Sequence, residues 1–157
     1  MIHTKNVADY IAEFCFQIGI INMHGLMGGG ASGLNDGVIK HGELKYLCYH
    51  HEQAAGYAAL GEARLTRSWA VLNPTTGCGG TNCYTPVLNA WQDSVPLVVI
   101  SGNVNSDTCA NYLNKRYSLN LRCYGVQEND IEKTAKEITK YSCTLHEISD
   151  LEQVFSN

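Results

Sequence analysis

Glu52 is the residue whose type and placement could do chemistry. It lies in His50-His51-Glu52-Gln53-Ala54-Ala55-Gly56-Tyr57-Ala58-Ala59, where an apolar run over residues 44–49 gives way to an alanine-rich stretch. The change of pattern predicts a strand that ends and a helix that begins at Glu52. In an open α/β sheet, ligands bind in the crevice beyond the carboxyl ends of the strands. As an ordinary acid in a first helical turn, Glu52 would gain about 0.3–1 kcal/mol from the helix dipole. Buried between the strand and the alanine face, it would instead be a proton-sharing carboxyl, because desolvation opposes the charged form. Local features alone leave both readings open.

The surrounding residues offer other chemistry. His50 and His51 could join Glu52 on a metal, but adjacent residues of an extended chain point to opposite faces and do not converge on one ion. One of the two is expected to pack and the other to face the crevice. Cys78 is a candidate nucleophile at a helix start, although the sequence places no base beside it. Two glycine-rich stretches, Gly25-Leu26-Met27-Gly28-Gly29-Gly30 and Thr75-Thr76-Gly77-Cys78-Gly79-Gly80-Thr81-Asn82, let the backbone come close to a ligand. The amides of the second could hold an anion at a helix N-terminus. Neither stretch has the dinucleotide or P-loop spacing. Each reads equally well as a tight turn packed on a neighbour.

The elements that must position these residues alternate. Val7, Tyr10, Ile11, Phe14 and Ile18 recur at helical spacing, which predicts a helix over residues 5–18 stopped by Gly19. Strands are expected over residues 20–24, 44–49, 69–72 and 97–100, and helices over 31–39, 52–65 and from the second glycine stretch to about Trp91. The strands are continuously apolar, as in parallel sheets buried on both faces. Residues 103–124, rich in asparagine and serine, predict a long excursion with weak structure. A helix is expected over 130–138 and a short strand over 141–145. Ser149-Asp150-Leu151-Glu152 reads as a capping box opening a last helix. The fold class is therefore α/β, a mostly parallel sheet with helices on both faces, in one domain over residues 1–157.

Composition narrows the function classes. At 157 residues, 45% apolar and 17% charged, the chain suits a globular domain with a sizeable core. A net charge of −4 without basic runs gives no reason to expect a nucleic-acid partner. No apolar run is long enough for a membrane span, and the first residues carry no signal-peptide pattern. The seven cysteines form no CxxC pair and no zinc-type cluster. Scattered thiols in apolar contexts fit a reducing, cytoplasmic setting.

Taken together, His51-Glu52-Gln53-Ala54-Ala55-Gly56-Tyr57-Ala58-Ala59, Ala63-Arg64-Leu65-Thr66, the second glycine stretch and Ala90-Trp91-Gln92-Asp93-Ser94-Val95-Pro96-Leu97-Val98-Val99-Ile100-Ser101-Gly102 resemble a known family. Their order and spacing are those of the N-terminal pyrimidine-binding (PYR) domain of thiamine diphosphate enzymes, in the acetolactate synthase-like group. The resemblance covers residues from about 5 to 155. It implies that Glu52 hydrogen-bonds a ring nitrogen of the cofactor's aminopyrimidine and passes a proton during activation. It implies cofactor contacts at Gly25, Leu26, Met27, Gly28, Thr76, Gly77 and Asn82. Gln127 and His51 become candidate contacts to a small 2-keto acid substrate. Met27 and Cys78 stand where prolines are usual, and Asn103 stands where a glutamine is common.

The resemblance also implies what lies elsewhere. In the family a separate domain with a Gly-Asp-Gly motif binds the diphosphate and Mg²⁺, and no Gly-Asp-Gly occurs in this chain. No metal site is expected on this chain itself. The last helix and a final strand are expected to be incomplete, as in a C-terminally truncated domain. Two functions follow: the pyrimidine-binding half of a carboligase or decarboxylase, completed by a diphosphate-binding chain or domain, or a catalytically inactive remnant serving as a binding or structural module. A homodimer or a complementing partner is expected, and activity from this chain alone is not.

Overall fold

The computed structural model describes residues 6–156. Helix α1 (Val7–Gln17) begins where the Asn6 side chain accepts the Asp9 amide at 2.8 Å, an N-cap that satisfies one free donor of the first turn. It is followed by β1 (Asn22–Gly25), α2 (Ser32–His41), β2 (Lys45–Cys48), α3 (Glu52–Thr66) and β3 (Ala70–Asn73). Next come α4 (Gly77–Thr81), α5 (Tyr84–Gln92), β4 (Leu97–Val99), α6 (Ala110–Tyr117), α7 (Ile131–Ala135) and α8 (Leu151–Ser156).

The four strands form one sheet in the order β2-β1-β3-β4, and every pairing is parallel. After β1 the chain places β2 on one side, then returns to place β3 on the other. The gap between the carboxyl ends of β1 and β3 is thus a topological switch point, where Gly25 stands in register with Asn73.

Alternation along β3 builds two cores. Val71 faces Ile11, Ala12, Cys15, Met23 and Val38, under α1 and α2. Ala70 and Leu72 face Ala55, Ala59, Ala63, Cys83 and Val87, under α3 and α5. The sheet is therefore covered on both faces, as the apolar strands predict. Among the described strands, β3 alone is buried throughout; the edge strand β2 is half-buried in its middle and exposed at both ends.

Three expectations change. Residues 103–124 hold a real helix, α6, because a remote carboxylate secures its first turn. Residues 141–145 form no strand. Ser149 does not cap a helix: it lies in a 3₁₀ turn (Ile148–Asp150), and its hydroxyl donates to Asp150 Oδ1 at 3.2 Å. The stretch over 130–138 is α7 followed by a 3₁₀ turn. Phe155 of α8 stacks on Phe14 of α1, with ring centroids 4.4 Å apart, which returns the last helix to the first.

Candidate active site

Glu52 is the first residue of α3, directly after extended His51 (φ −156°, ψ 133°). Helix α3 buries Ala55, Gly56, Ala59, Leu60 and Ala63 against the sheet, so its N-terminus opens at the carboxyl edge of the strands. Glu52 is half-buried. Its Oε2 accepts from Asn82 Nδ2 at 2.8 Å, and the same Asn82 nitrogen lies 3.3 Å from His51 Nε2. The other carboxylate oxygen, Oε1, faces Gly79, where a Cβ would stand 3.1 Å away. His50 and His51 are both exposed, so neither packs as the sequence suggested.

The two glycine stretches interlock. A Cβ on Gly28 would overlap the Thr75 side chain, and one on Gly30 would overlap Thr76 Cγ2. A Cβ on Gly102, after β4, would overlap the carbonyl of Gly30. A Cβ on Gly79 would stand 2.6 Å from Thr75 Cγ2. The loops pack here at van der Waals contact: any side chain at these positions would overlap a neighbour and push the loops apart.

Asn73 ties this cradle to the sheet. It is 0% exposed, its Nδ2 donates to Ile100 O at 2.7 Å, and its Oδ1 accepts from Tyr46 Oη at 3.2 Å. Both ends of its amide are satisfied, as a buried polar group requires. Burial, with a smaller contribution from Cys48, pushes the Tyr46 phenol up to about 12, which keeps it a donor. Beside the cradle, burial first and the Glu52 charge second push the Cys83 thiol up to about 12. Its Sγ points to Glu52 O at 3.6 Å and Gly79 O at 3.7 Å.

Gln127 reaches the site through the second glycine stretch. Its Oε1 is 3.5 Å from Thr76 Oγ1, and its carbonyl lies where a Cβ on Gly77 would be. Both backbones are left-handed there, Gly77 at φ +47° and Gln127 at φ +60°. Glu128 holds this segment in place. It accepts from Ala110 N (2.7 Å), Tyr124 N (2.7 Å), Gly125 N (3.1 Å) and Cys109 Sγ (3.2 Å). Burial alone would raise its carboxyl pKa, but these four donors together hold it below the ordinary value.

The structure therefore gathers most of the candidates. Glu52, Asn82 and His51 form one cluster; Thr76, Gly77 and Gln127 form a second, joined to the first through Thr75 and Gly79. Gly25 and Gly28 line the first loop. Leu26 joins by its backbone N–H to Asn73 O at 3.4 Å, while Met27 is 51% exposed at the rim. Sequence reasoning missed Asn73, Tyr46, Thr75 and Glu128. For Asn73 a signal existed: a polar residue closing the apolar run Ala70-Val71-Leu72 just before Pro74.

One Glu52 oxygen is thus held by the Asn82 amide and the other faces Gly79, where glycines let two loops pack closely. Among the described residues, no group of three His, Cys, Asp or Glu side chains is placed to hold a metal ion. Among the same residues, no helix is long and apolar enough to cross a membrane.

Comparison with known proteins identifies the family. The family described as "Thiamine pyrophosphate enzyme, N-terminal TPP binding domain" matches residues 5–137. The chain is 30% identical to acetolactate synthase isozyme 1 large subunit of Escherichia coli over 150 residues, which is 96% of this chain and 25% of that protein. It is 29% identical to the mitochondrial acetolactate synthase of Schizosaccharomyces pombe over 147 residues, 94% of this chain and 20% of that protein. The Corynebacterium glutamicum large subunit is 31% identical over 132 residues, 84% of this chain and 19% of that protein. The chain thus spans a quarter or less of these relatives' length. With the all-parallel sheet, these matches place the chain in the thiamine pyrophosphate enzyme family, as an N-terminal TPP-binding domain of the PYR type.

Proposed function

We propose that this chain is the pyrimidine-binding half of a thiamine diphosphate-dependent 2-keto acid carboligase or decarboxylase of the acetolactate synthase-like kind. The observation that carries the reading is the Glu52 carboxylate, with one oxygen held by Asn82 and the other turned to the Gly79 cradle. When bound, the cofactor supplies an electron sink for decarboxylation and carbon–carbon bond formation. Glu52 holds and moves a proton at a ring nitrogen of the pyrimidine. Asn82 fixes the Glu52 rotamer. Gly25, Leu26, Met27, Gly28, Thr76 and Gly77 shape the pocket and keep water from the ring. Gln127 and His51 are the candidate contacts to the substrate.

The diphosphate and Mg²⁺ belong, in this reading, to a second domain, on another chain or on a further region of the same protein. Tyr57 and Leu65 of α3 and Leu88 and Trp91 of α5 are exposed apolar side chains, and they support a homodimer or a complementing domain covering this face. Seven free cysteines support a reducing, cytoplasmic setting.

The test is turnover of pyruvate with thiamine diphosphate and Mg²⁺, using this chain alone and with a diphosphate-binding partner or region. Turnover is expected only in the second case, and Glu52→Gln is expected to abolish it. Turnover by this chain alone rejects the need for completion. Turnover unchanged in Glu52→Gln rejects the catalytic role. An inert but correctly assembled complex favours a binding or structural module.

A further inference from the structure

A part-buried polar cluster ties α3 to β1 and the exit of β2, and the proposed chemistry leaves it unused. His24 on β1 is 3% exposed. Its Nδ1 is 2.9 Å from Tyr49 Oη, and its Nε2 is 2.7 Å from Glu62 Oε2. Asn22 Nδ2 donates to Glu62 Oε1 at 3.1 Å and to Oε2 at 3.0 Å. One proton arrangement satisfies every partner: Tyr49 donates to Nδ1, and Nε2–H donates to the Glu62 carboxylate. Burial first, and then the Glu62 charge, hold the Tyr49 phenol above its ordinary range, so it remains a donor.

The cluster brackets Glu52 along the chain. Tyr49 lies just before Glu52, at the exit of β2, and Glu62 lies further along the same helix. Helix α3 needs such a tie. Its buried face is Ala55, Gly56, Ala59, Leu60 and Ala63. Small side chains bring the helix close to the sheet and raise only low ridges, apart from Leu60 and the close fit of Gly56 against Pro86 and Leu72. The hydrogen bonds of Glu62 to His24 and Asn22 index it further, because displacement would leave the buried His24 without its carboxylate partner.

We propose that His24, Glu62 and Tyr49 form a positioning cluster that fixes α3 lengthwise and so aims Glu52 at Asn82 and the glycine cradle. This rests on the reading of Glu52 as the cofactor's proton partner. The residues act through Glu52 and touch no ligand themselves.

The test follows the Asn82 side-chain amide by NMR in the full chain without ligand, since that group donates to Glu52 Oε2. Glu62→Leu is expected to move its resonances toward those of Glu52→Ala, in which the acceptor is gone. Glu62→Gln keeps an acceptor for His24 and is expected to leave them near the wild-type position. Tyr49→Phe keeps the ring, drops one hydrogen bond and is expected to give a smaller shift in the same direction. In the protein completed by its diphosphate-binding region, Glu62→Leu is expected to weaken thiamine diphosphate binding about tenfold, with Glu62→Gln within about twofold of wild type. Asn82 resonances unmoved in a folded Glu62→Leu overturn the proposal. Should that variant not fold, unmoved resonances in Tyr49→Phe do so. A moved resonance without any thiamine diphosphate binding by the wild type upholds the positioning cluster and rejects the cofactor reading instead.

Discussion

The Tyr46 hydroxyl reaches the Asn73 amide oxygen, 3.2 Å away, by passing over Gly25. Tyr46 is on β2 and Asn73 on β3, with β1 between them. The bond exists because the residue in the middle has no side chain. It fastens three strands at the end of the sheet where the cradle begins.

Gly25→Ala is therefore expected to be costly. The added methyl would overlap Asn73 O, which is backbone and cannot rotate away, and would press on Tyr46 Oη. Overpacking of this kind costs about 1–3 kcal/mol, and loss of the Tyr46 bond adds about 1 kcal/mol. Urea unfolding checks the sum. Gly33→Ala in α2, where an added Cβ meets nothing within 4 Å, is the matched control and is expected to be neutral or mildly stabilising.

Glu128 gives the fold an acid-sensitive contact. Its folded pKa lies below the ordinary carboxyl value of 4.5. The stabilisation is therefore fully present above about pH 4.5 and is lost as the pH falls through the folded pKa. Glu128→Gln lacks this ionisation. The stability difference between wild type and Glu128→Gln is expected to be largest at neutral pH and to shrink steadily below about pH 4.5. Denaturant titrations across that range check the slope. A difference that grows on acidification would contradict the assignment.

Gly77→Ala tests how Gln127 is seated. Gly77 has φ +47°, and a Cβ there would fall on the Gln127 carbonyl. Strain and displacement together are expected to cost about 1–3 kcal/mol. The local effect is more telling. Hydrogen exchange over residues 124–130 is expected to accelerate in the variant, while amides of β3 keep their protection.

Thiol reactivity should divide along burial. Burial pushes Cys15 up to about 11, and burial with the Glu52 charge pushes Cys83 up to about 12. Cys48, Cys78, Cys123 and Cys143 are exposed. Brief treatment of the native chain with iodoacetamide at about pH 8 is expected to label the four exposed thiols and spare Cys15 and Cys83. Peptide mass mapping reads this directly.

Much of the site was legible because it rests on local pattern. The apolar runs around Met23 and Val71 announce strands, the alanines after Glu52 announce a helix, and the glycines announce loops that admit no side chain. What stayed hidden depends on distant partners. Helix α6 carries two asparagines, a lysine and an arginine among its eight residues, yet its first amide is held by Glu128, eighteen positions later. His24 reads as one more residue of a buried strand, and only the fold brings Glu62 to it across thirty-eight positions. The run Tyr141-Ser142-Cys143-Thr144-Leu145 has strand-forming residues, but no neighbouring strand pairs with it. His50 and His51 are expected to divide between core and crevice; both are exposed, and His51 stands beside the site, its Nε2 3.3 Å from Asn82 Nδ2.

The interlock of Gly28, Gly30, Thr75, Thr76 and Gly102 also sets an order of events. These residues come from the ends of three different strands, and Gln127 closes the group from a fourth segment. None can take its final place until the crossovers between them have formed, and contacts between remote segments are the slow ones.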